Sequence, residues 1–179
     1  ESLMTADYSQ IELRIMAHLS EDDALLKAFA AGEDLHTTVG AEVFGVKPSE
    51  VDAQMRRTVK AMSYGLAYGM EAFGLSQRLG VGVGQAGEIL DAYFAAFPNV
   101  KQYMDDAIHQ ARQAGYTETL FGRRRHIEEL MSDNFRVRQA GERQAMNAAI
   151  QGLAADIFKI ALVRIDKALT KAKVQSRVV

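Results

Sequence analysis

Residues 53–69 read AQMRRTVKAMSYGLAYG, and this stretch carries the clearest signal of the fold. It contains no proline, and Asp52 before it is a favoured N-cap residue, so it predicts a long helix whose end is loosened by glycines. Upstream, Ile11, Ile15 and Leu19 recur at four-residue spacing, which indicates an amphipathic helix. Because such patterns dominate the chain, the predicted fold class is mainly α with a small β component (α+β).

Capping residues and glycines predict further helix boundaries. Ser20, with Asp23 three residues later, is typical of a capping box and predicts the start of another helix. Asp34 predicts the cap of a third helix, which ends at Gly45. The remaining helices are predicted over residues 86–97, 100–114 and 134–173, the last with a break near residues 149–152.

Two segments show strand patterns. Residues 2–6, SLMTA, form a mostly apolar run that predicts a short strand. Residues 116–127, YTETLFGRRRHI, alternate in character, are rich in threonine and aromatic residues, and carry a glycine near their middle. This second pattern predicts a small β-hairpin between two helical regions.

Composition excludes several classes of protein. The chain has 179 residues with 48% hydrophobic content, enough for one compact domain, and its net charge of -2 gives no chain-wide basic footprint. Absence of cysteine excludes disulfide scaffolds and thiolate zinc sites, and no apolar segment reaches the roughly 20 residues that span a bilayer. Because the chain starts without methionine and ends on SRVV, we expect an internal piece of a longer protein.

The helix over residues 53–69 carries a polar array. Arg56, Lys60, Tyr64 and Tyr68 follow one another at four-residue spacing, so two cations and two rings share one helix face. The rise from Arg56 to Tyr64 is roughly 12 Å, the scale of a nucleoside triphosphate. Cations could hold the phosphates while a ring supports the base or sugar. Taken alone, the array is somewhat more typical of a solvated basic helix whose tyrosines pack.

Two other polar groups are compatible with nucleic acid. Arg143, Asn147 and Gln151 are again spaced by four, which suits hydrogen bonds to a nucleic-acid backbone and to base edges. Taken alone, this pattern is more typical of ordinary polar surface. The run of arginines at residues 123–125 is either a phosphate contact or a solvated turn.

Asp7 follows the predicted first strand directly. Its simplest interpretation is a helix N-cap, because aspartate is favoured there. The functional alternative is a carboxylate at a strand end that binds Mg²⁺, with substrate phosphates completing the coordination. The residues alone leave both interpretations open.

Two familiar motifs are rejected. Residues 82–87, GVGQAG, match a dinucleotide fingerprint, but the preceding SQRLGV is no buried strand, so the required strand-to-helix turn is not predicted. Glu33 and His36 form a Glu-x-x-His pair of the kind found in di-iron bundles. Such a site needs a second pair and two more glutamates, and Asp106 with His109 is the only near match.

Three separated motifs together resemble those of family A DNA polymerases, the bacterial DNA polymerase I family. They are DYSQIELR at residues 7–14, RRTVKAMSYGLAYG at 56–69 and NAAIQGLAADI at 147–157. The resemblance also includes GEDLH at residues 32–36 and TLFGRRR at 119–125. It covers nearly the whole chain and is specific, because the order and spacing of the motifs match as well.

The resemblance implies part of a right-hand polymerase fold. Residues 1–20 would belong to the palm and carry motif A, and residues 21–135 would form the fingers with the nucleotide-binding helix. Residues 136–179 would return to the palm and stop before the third family motif, His-Asp-Glu. Without that motif's aspartate, we expect this chain alone to be inactive.

Site residues are implied by matching the family motifs position by position. Asp7 and the backbone carbonyl of Tyr8 would bind two catalytic Mg²⁺ ions, and Asp7 and Lys60 would be catalytic. Glu12 would be the steric gate that rejects a ribose 2'-hydroxyl. The implied nucleotide-binding residues are Gln10, Glu12, His36, Arg56, Lys60, Tyr64 and Tyr68. The implied DNA-binding residues are Arg14, Arg143, Asn147 and Gln151.

The implied activity is template-directed DNA synthesis, in which a primer 3'-hydroxyl attacks a deoxynucleoside triphosphate by two-metal nucleotidyl transfer. Expected partners are primer–template DNA and deoxynucleoside triphosphates, without a membrane, for a monomer in the cytoplasm at the bacterial nucleoid. The alternative is a non-catalytic nucleic-acid-binding helical module. Asp7 and Glu12 argue against it, because a pure binder has no use for a metal ligand or a sugar gate.

Overall fold

Helices account for most of the molecule. The computed structural model describes residues 2–32 and 34–178. Its helices are α1 Ile11–Ser20, α2 Asp23–Ala30, α3 Leu35–Phe44, α4 Ala53–Ala67, α5 Ala72–Leu79, α6 Val83–Ala96, α7 Pro98–Ala114 and α8 Phe135–Ala172. The strands are β1 Tyr116–Glu118 and β2 Arg124–His126, and short 3-10 turns occur at Pro48–Glu50 and Glu128–Met131. The prediction of a mainly α fold with a small β component is confirmed.

The predicted hairpin is present between α7 and α8. Strands β1 and β2 pair antiparallel, with Tyr116 opposite His126 and Glu118 opposite Arg124. Gly122 lies in the connecting turn at φ 80°, a left-handed conformation that glycine adopts without strain. The glycine in the middle of the strand pattern was therefore a correct turn signal.

Capping residues explain where several helices begin. Asp34 accepts a hydrogen bond from the His36 N–H at 3.2 Å, and Asp52 accepts one from the Met55 N–H at 2.7 Å, so both predicted caps are confirmed. Ser20 does not cap α2, contrary to prediction. It is the last residue of α1, and the α2 cap is Asp22, which accepts from two backbone N–H groups.

The strand predicted for residues 2–6 is absent. Residues 2–7 are exposed and have no regular structure. A strand needs a neighbour for its backbone hydrogen bonds, and in the described part of the chain the only paired strands are β1 and β2. Sequence pattern alone could not supply that partner.

Helix α8 is continuous over 38 residues, so the predicted break near residues 149–152 is wrong. Gly152 lies inside the helix, where it permits close packing against the hairpin. A Cβ at this position would lie 2.7 Å from Cγ2 of Thr119. Gly152 is therefore a packing position rather than a helix end.

Helix α5 was not predicted, and it lies where a dinucleotide-binding site at residues 82–87 would need a strand. Residues 82–87 cap and open α6, and the segment before them is α5 instead of a buried strand. The strand-to-helix turn of a dinucleotide site is therefore absent from this part of the chain. Among residues 2–32 and 34–178, no helix is both long enough and apolar enough to cross a bilayer.

The main core lies between α1 and the helices around it. Helix α1 contacts α2, α4, α7 and α8, and its buried face includes Leu13, Ile15 and Met16. Tyr93 at the end of α6 and Phe97 before α7 are each 1% exposed, with ring centroids 5.0 Å apart. These two rings are among the largest fully buried side chains, so they contribute strongly to stability.

Gly141 gives a test of the packing of α8, and Gly87 of α6 provides the comparison. Gly141→Ala should lower the free energy of unfolding by about 1–2 kcal/mol, because overpacking outweighs the gain in helix propensity. A Cβ there would lie 2.9 Å from the backbone N of Leu130. Gly87→Ala in α6 should instead raise stability, by up to about 1 kcal/mol, because nothing lies within 4 Å of its new Cβ. Urea unfolding measures both, and a shift in the same direction would contradict this account.

Candidate functional site

Helix α4 presents the predicted array on one side. Its opposite side is buried through residues such as Val59 and Met62. Arg56 and Lys60 are exposed, Tyr64 is half-buried, and Tyr68 is the exposed C-cap residue. The cations thus face solvent while the helix is anchored by its apolar side, as a binding array requires.

The N-terminus of α3 meets this array. The Arg56 side chain forms an ion pair with the Asp34 carboxylate. Arg56 Nη1 also donates a hydrogen bond to Oγ1 of Thr37 at 2.7 Å. Burial alone would raise the pKa of Asp34, but the Thr37 hydroxyl, Arg56 and the His36 N–H together lower it. Asp34 is therefore held as a carboxylate.

His36 lies between Asp34 and Tyr64 of α4. Its Nδ1 is 3.6 Å from Oδ1 of Asp34, and its ring centroid is 6.2 Å from that of Tyr64. Its buried Nε2 has no hydrogen-bond partner among the described residues. Burial lowers the pKa of His36, and Lys60 and Arg56 lower it further against the opposing effect of Asp34. The structure thus brings together four residues of the predicted nucleotide set: His36, Arg56, Lys60 and Tyr64.

The lowered pKa of His36 predicts a pH dependence of stability. Because the folded state disfavours the imidazolium, the unfolded chain binds more protons below the usual pKa of 6.5. The free energy of unfolding should therefore fall as the pH drops from 6.5 towards the lowered folded-state pKa. His36→Gln should flatten this slope, measured by urea unfolding at several pH values. Well above the usual pKa, the difference in free energy of unfolding between wild type and variant should not change with pH. If the variant kept the same slope as wild type below that pKa, the prediction would be contradicted.

The segment before α1 carries the predicted metal and sugar residues. Asp7 is exposed, and its Oδ1 accepts a hydrogen bond from the Tyr8 N–H at 2.8 Å. The N-cap of α1 is Gln10, in a left-handed conformation at φ 56°, so the simpler interpretation of Asp7 as the helix cap is wrong. Glu12 is half-buried in the first turn of α1.

Arg14 makes contacts within the chain. Its Nε donates to the Ser9 carbonyl at 3.0 Å, and its guanidinium lies 4.7 Å from the centre of the Phe29 ring. These contacts join the start of α1 to α2 and hold the loop that carries Asp7 and Tyr8. Arg14 therefore supports this segment in the free chain.

The described residues do not form a complete metal site. In residues 2–32 and 34–178 no group of three or more His, Cys, Asp or Glu side chains could hold a metal ion. Asp7 and the Tyr8 carbonyl are oxygen donors of the type that Mg²⁺ prefers, but its octahedral shell needs more ligands than these two. Glu33, of the di-iron alternative, lies outside the described residues.

The second polar array meets the end of the first. Gly69 directly follows Tyr68 at φ 68°, and a Cβ there would lie 3.1 Å from Asn147 Nδ2 and 3.2 Å from the Arg143 carbonyl oxygen. Arg143 Nη1 donates to Oε1 of Glu71 at 3.3 Å. The Asn147 Oδ1 is buried without a hydrogen-bond partner among the described residues. Only a glycine at residue 69 lets α4 and α8 approach so closely, and the two arrays are therefore neighbours.

Gln151, the third residue of that array, is exposed one turn further along α8. Its side chain lies on the same helix face as Arg143 and Asn147, as the four-residue spacing predicts. The polar array of α4 thus lies next to that of α8 where Gly69 meets Arg143 and Asn147. This proximity could not be predicted from either array separately.

The arginine run is held by partners within the chain. Arg123 pairs with the buried Asp156 of α8, which also accepts from Oγ1 of Thr119 at 2.7 Å. Arg125 Nη2 donates to Oε1 of Gln144 at 3.1 Å. These contacts fix the hairpin on α8. Asp156 was not predicted to take part, because its partners are distant in sequence.

Comparisons with known proteins show the family to which this chain belongs. The family model "DNA polymerase family A" matches residues 1–179. DNA polymerase I of Mycobacterium tuberculosis (strain ATCC 25618 / H37Rv) is 57% identical over 175 residues, which are 98% of this chain and 19% of that relative. DNA polymerase I of Geobacillus stearothermophilus is 46% identical over 175 residues, 98% of this chain and 20% of that relative.

A solved structure is similar in both fold and sequence. It is the POL domain of Pol1 from M. smegmatis in complex with DNA primer–template and dNTP, with a TM-score of 0.90 and 52% identity. The match covers 96% of this chain and 30% of that structure. The chain spans about a fifth of the length of the curated relatives it matches. Since the family model matches it from end to end, the chain belongs to DNA polymerase family A.

Proposed function

We propose that this chain forms part of the active site of an enzyme that extends a DNA primer with deoxynucleoside triphosphates on a template. One observation carries the proposal: His36, Arg56, Lys60 and Tyr64 gather on α3 and α4, and the end of α4 meets α8 at Gly69. A triphosphate site beside a duplex-binding surface is what nucleotide addition requires. The primer–template and dNTP in the similar M. smegmatis structure support the same assignment.

Arg56 and Lys60 would bind the triphosphate. Nucleotidyl transfer leaves negative charge on the departing phosphates, and fixed cations beside them stabilise that charge in the transition state. Tyr64, one turn beyond Lys60, would stack beside the incoming nucleotide, and His36 would line the same pocket. Tyr68 would occupy the position of the template base before the nucleotide enters.

The sugar and the duplex would be contacted from α1 and α8. Half-buried Glu12 would close the space that a ribose 2'-hydroxyl needs, with Gln10 beside it. The DNA-binding residues of the proposal are Arg14, Arg143, Asn147 and Gln151. The exposed side chain of Gln151 is suited to hydrogen bonds with DNA.

A divalent metal is a general requirement of DNA polymerases of this family. In this proposal the ions are two Mg²⁺, and Asp7 with the Tyr8 carbonyl contributes some of their ligands. Because these donors are an incomplete set, we expect no primer extension by the 179 residues alone. The proposed division is palm for residues 1–20 and 136–179 and fingers for residues 21–135, in a monomer acting on DNA in the bacterial cytoplasm, at the nucleoid.

An exchange experiment tests the proposed function. The matching segment of M. tuberculosis DNA polymerase I is replaced by this chain, and we call the product the exchange enzyme; the two segments are 57% identical. Primer extension with Mg²⁺ and all four deoxynucleoside triphosphates should remain within about tenfold of the parent, since most core positions are interchangeable. The parent polymerase is the control.

The same experiment distinguishes the proposed function from the alternative one. A non-catalytic nucleic-acid-binding module would give an exchange enzyme that folds and binds primer–template but does not extend it. That result would refute the proposed function. Thermal unfolding and a primer–template binding assay on the same preparation establish that the protein is folded and able to bind DNA.

A further inference from the structure

We propose that Asp34 is a positioning residue for the triphosphate, an inference that rests on the proposed function. Through its carboxylate and the Thr37 hydroxyl, it would hold the Arg56 guanidinium in the orientation that receives phosphate. The sequence pattern had indicated only a helix cap for Asp34. Its contacts in the folded chain extend beyond that role.

The three side chains form a closed triangle across two helices. The Thr37 hydroxyl donates to Oδ2 of Asp34 at 3.0 Å, and Arg56 Nη1 donates to that same hydroxyl oxygen at 2.7 Å. Arg56 completes the triangle through its ion pair with Oδ2 of Asp34. A hydroxyl has one proton to donate and lone pairs to accept, so every group in the triangle is used in its proper sense.

Asp34 itself cannot easily move away. Its other oxygen, Oδ1, accepts from the His36 N–H at 3.2 Å and thereby caps α3. The carboxylate is therefore fixed to the start of α3, while Arg56 belongs to α4. The Asp34 side chain thus sets the position of Arg56 relative to His36. In doing so it joins α3 to α4 at the proposed nucleotide pocket.

The contacts of Arg56 leave most of its donors available. Both recorded interactions use Nη1, and in the described part of the chain neither Nη2 nor Nε has a recorded partner. Arginine carries five N–H donors in a planar fork, so one edge can be held while the other binds phosphate oxygens. Holding the side chain beforehand reduces the rotamer entropy lost when the triphosphate binds.

Competition between Asp34 and phosphate for Arg56 is the opposing effect. Competition would dominate if the Asp34 carboxylate bonded every nitrogen of the Arg56 guanidinium, or if it could move together with Arg56 away from α3. Instead it engages one nitrogen and stays bound to α3, and Lys60 on the same face adds a further cation. Positioning is therefore the stronger effect, and losing Asp34 should weaken nucleotide binding.

The test measures kcat and KM for deoxynucleoside triphosphates in the exchange enzyme. Asp34→Asn keeps an oxygen that can cap α3 but removes the charge that holds Arg56. KM should rise roughly threefold to tenfold, the effect of one side chain that must be ordered on binding, with kcat changed less than about twofold. Thr37→Val keeps the shape of the side chain, leaves the cap untouched, and should raise KM in the same direction.

The decisive comparison repeats Asp34→Asn in an Arg56→Ala background. If Asp34 acts through Arg56, the added change in KM disappears there. An equal rise in both backgrounds would reduce Asp34 to a helix cap, and a fall in KM would mean that it competes with phosphate; either result overturns the inference. If Arg56→Ala alone leaves KM unchanged, the proposed triphosphate role of Arg56 fails first, and the inference fails with it.

Discussion

Lys60→Ala in the exchange enzyme should lower kcat/KM for deoxynucleoside triphosphates by about two to three orders of magnitude, the usual cost of removing one group that stabilises transition-state charge. Lys60 lies one turn after Arg56 on the exposed side of α4 and is close enough to lower the pKa of His36. Its charge would be needed most as the leaving phosphates become more negative. Pre-steady-state extension of the primer by a single nucleotide measures this loss without a contribution from product release.

Lys101→Ala is the matched control for that experiment. Lys101 lies on α7 and pairs with Asp105 at 2.9 Å, so the same substitution removes the same charge outside the proposed nucleotide pocket. Its kcat/KM should remain within about twofold of the exchange enzyme, because exposed ion pairs contribute little. Equal losses from the two substitutions would show that net charge, not position on α4, governs nucleotide use.

Phe97→Ala should lower the free energy of unfolding by about 3–5 kcal/mol, the cost of a cavity left by a large buried ring. Phe97 is 1% exposed and packs on Tyr93 where α6 passes into α7. Since a domain is typically stable by about 5–15 kcal/mol, this single change could remove most of the stability. Urea unfolding followed by circular dichroism measures it.

Phe73→Ala provides the comparison, because Phe73 on α5 is 66% exposed. This substitution should change the free energy of unfolding by no more than about 0.5 kcal/mol, since little apolar area leaves a packed environment. Similar destabilisation by the two substitutions would mean that the buried ring of Phe97 does not contribute strongly to stability.

Local chemistry made several parts of the fold predictable. Asp34 and Asp52 could be recognised as caps because a cap bonds backbone within three residues of itself. Gly152 misled because a glycine signals either a helix end or a close contact, and its contact, Thr119, is distant in sequence. The strand predicted for residues 2–6 failed for a related reason, because strand formation depends on a partner.

In the candidate site, too, local features could be predicted and contacts between distant residues could not. Four-residue spacing was sufficient to put Arg56, Lys60 and Tyr64 on one side of α4. It could not reveal that Asp34 reaches Arg56, because a carboxylate that caps a helix looks the same in sequence whether or not it has a second partner. The meeting of α4 and α8 at Gly69 was likewise hidden, since it depends on tertiary packing.

An ion pair of the free chain has a consequence for the ionic-strength dependence of the proposed DNA binding. Arg143, one of the proposed DNA contacts, is already paired with Glu71. A cation with a built-in anionic partner carries fewer bound solution ions, so fewer are displaced from the protein when phosphate takes its place. The slope of affinity against salt reflects all the ions released by protein and DNA together. The salt sensitivity of this surface should therefore be shallower than a simple count of its arginines suggests.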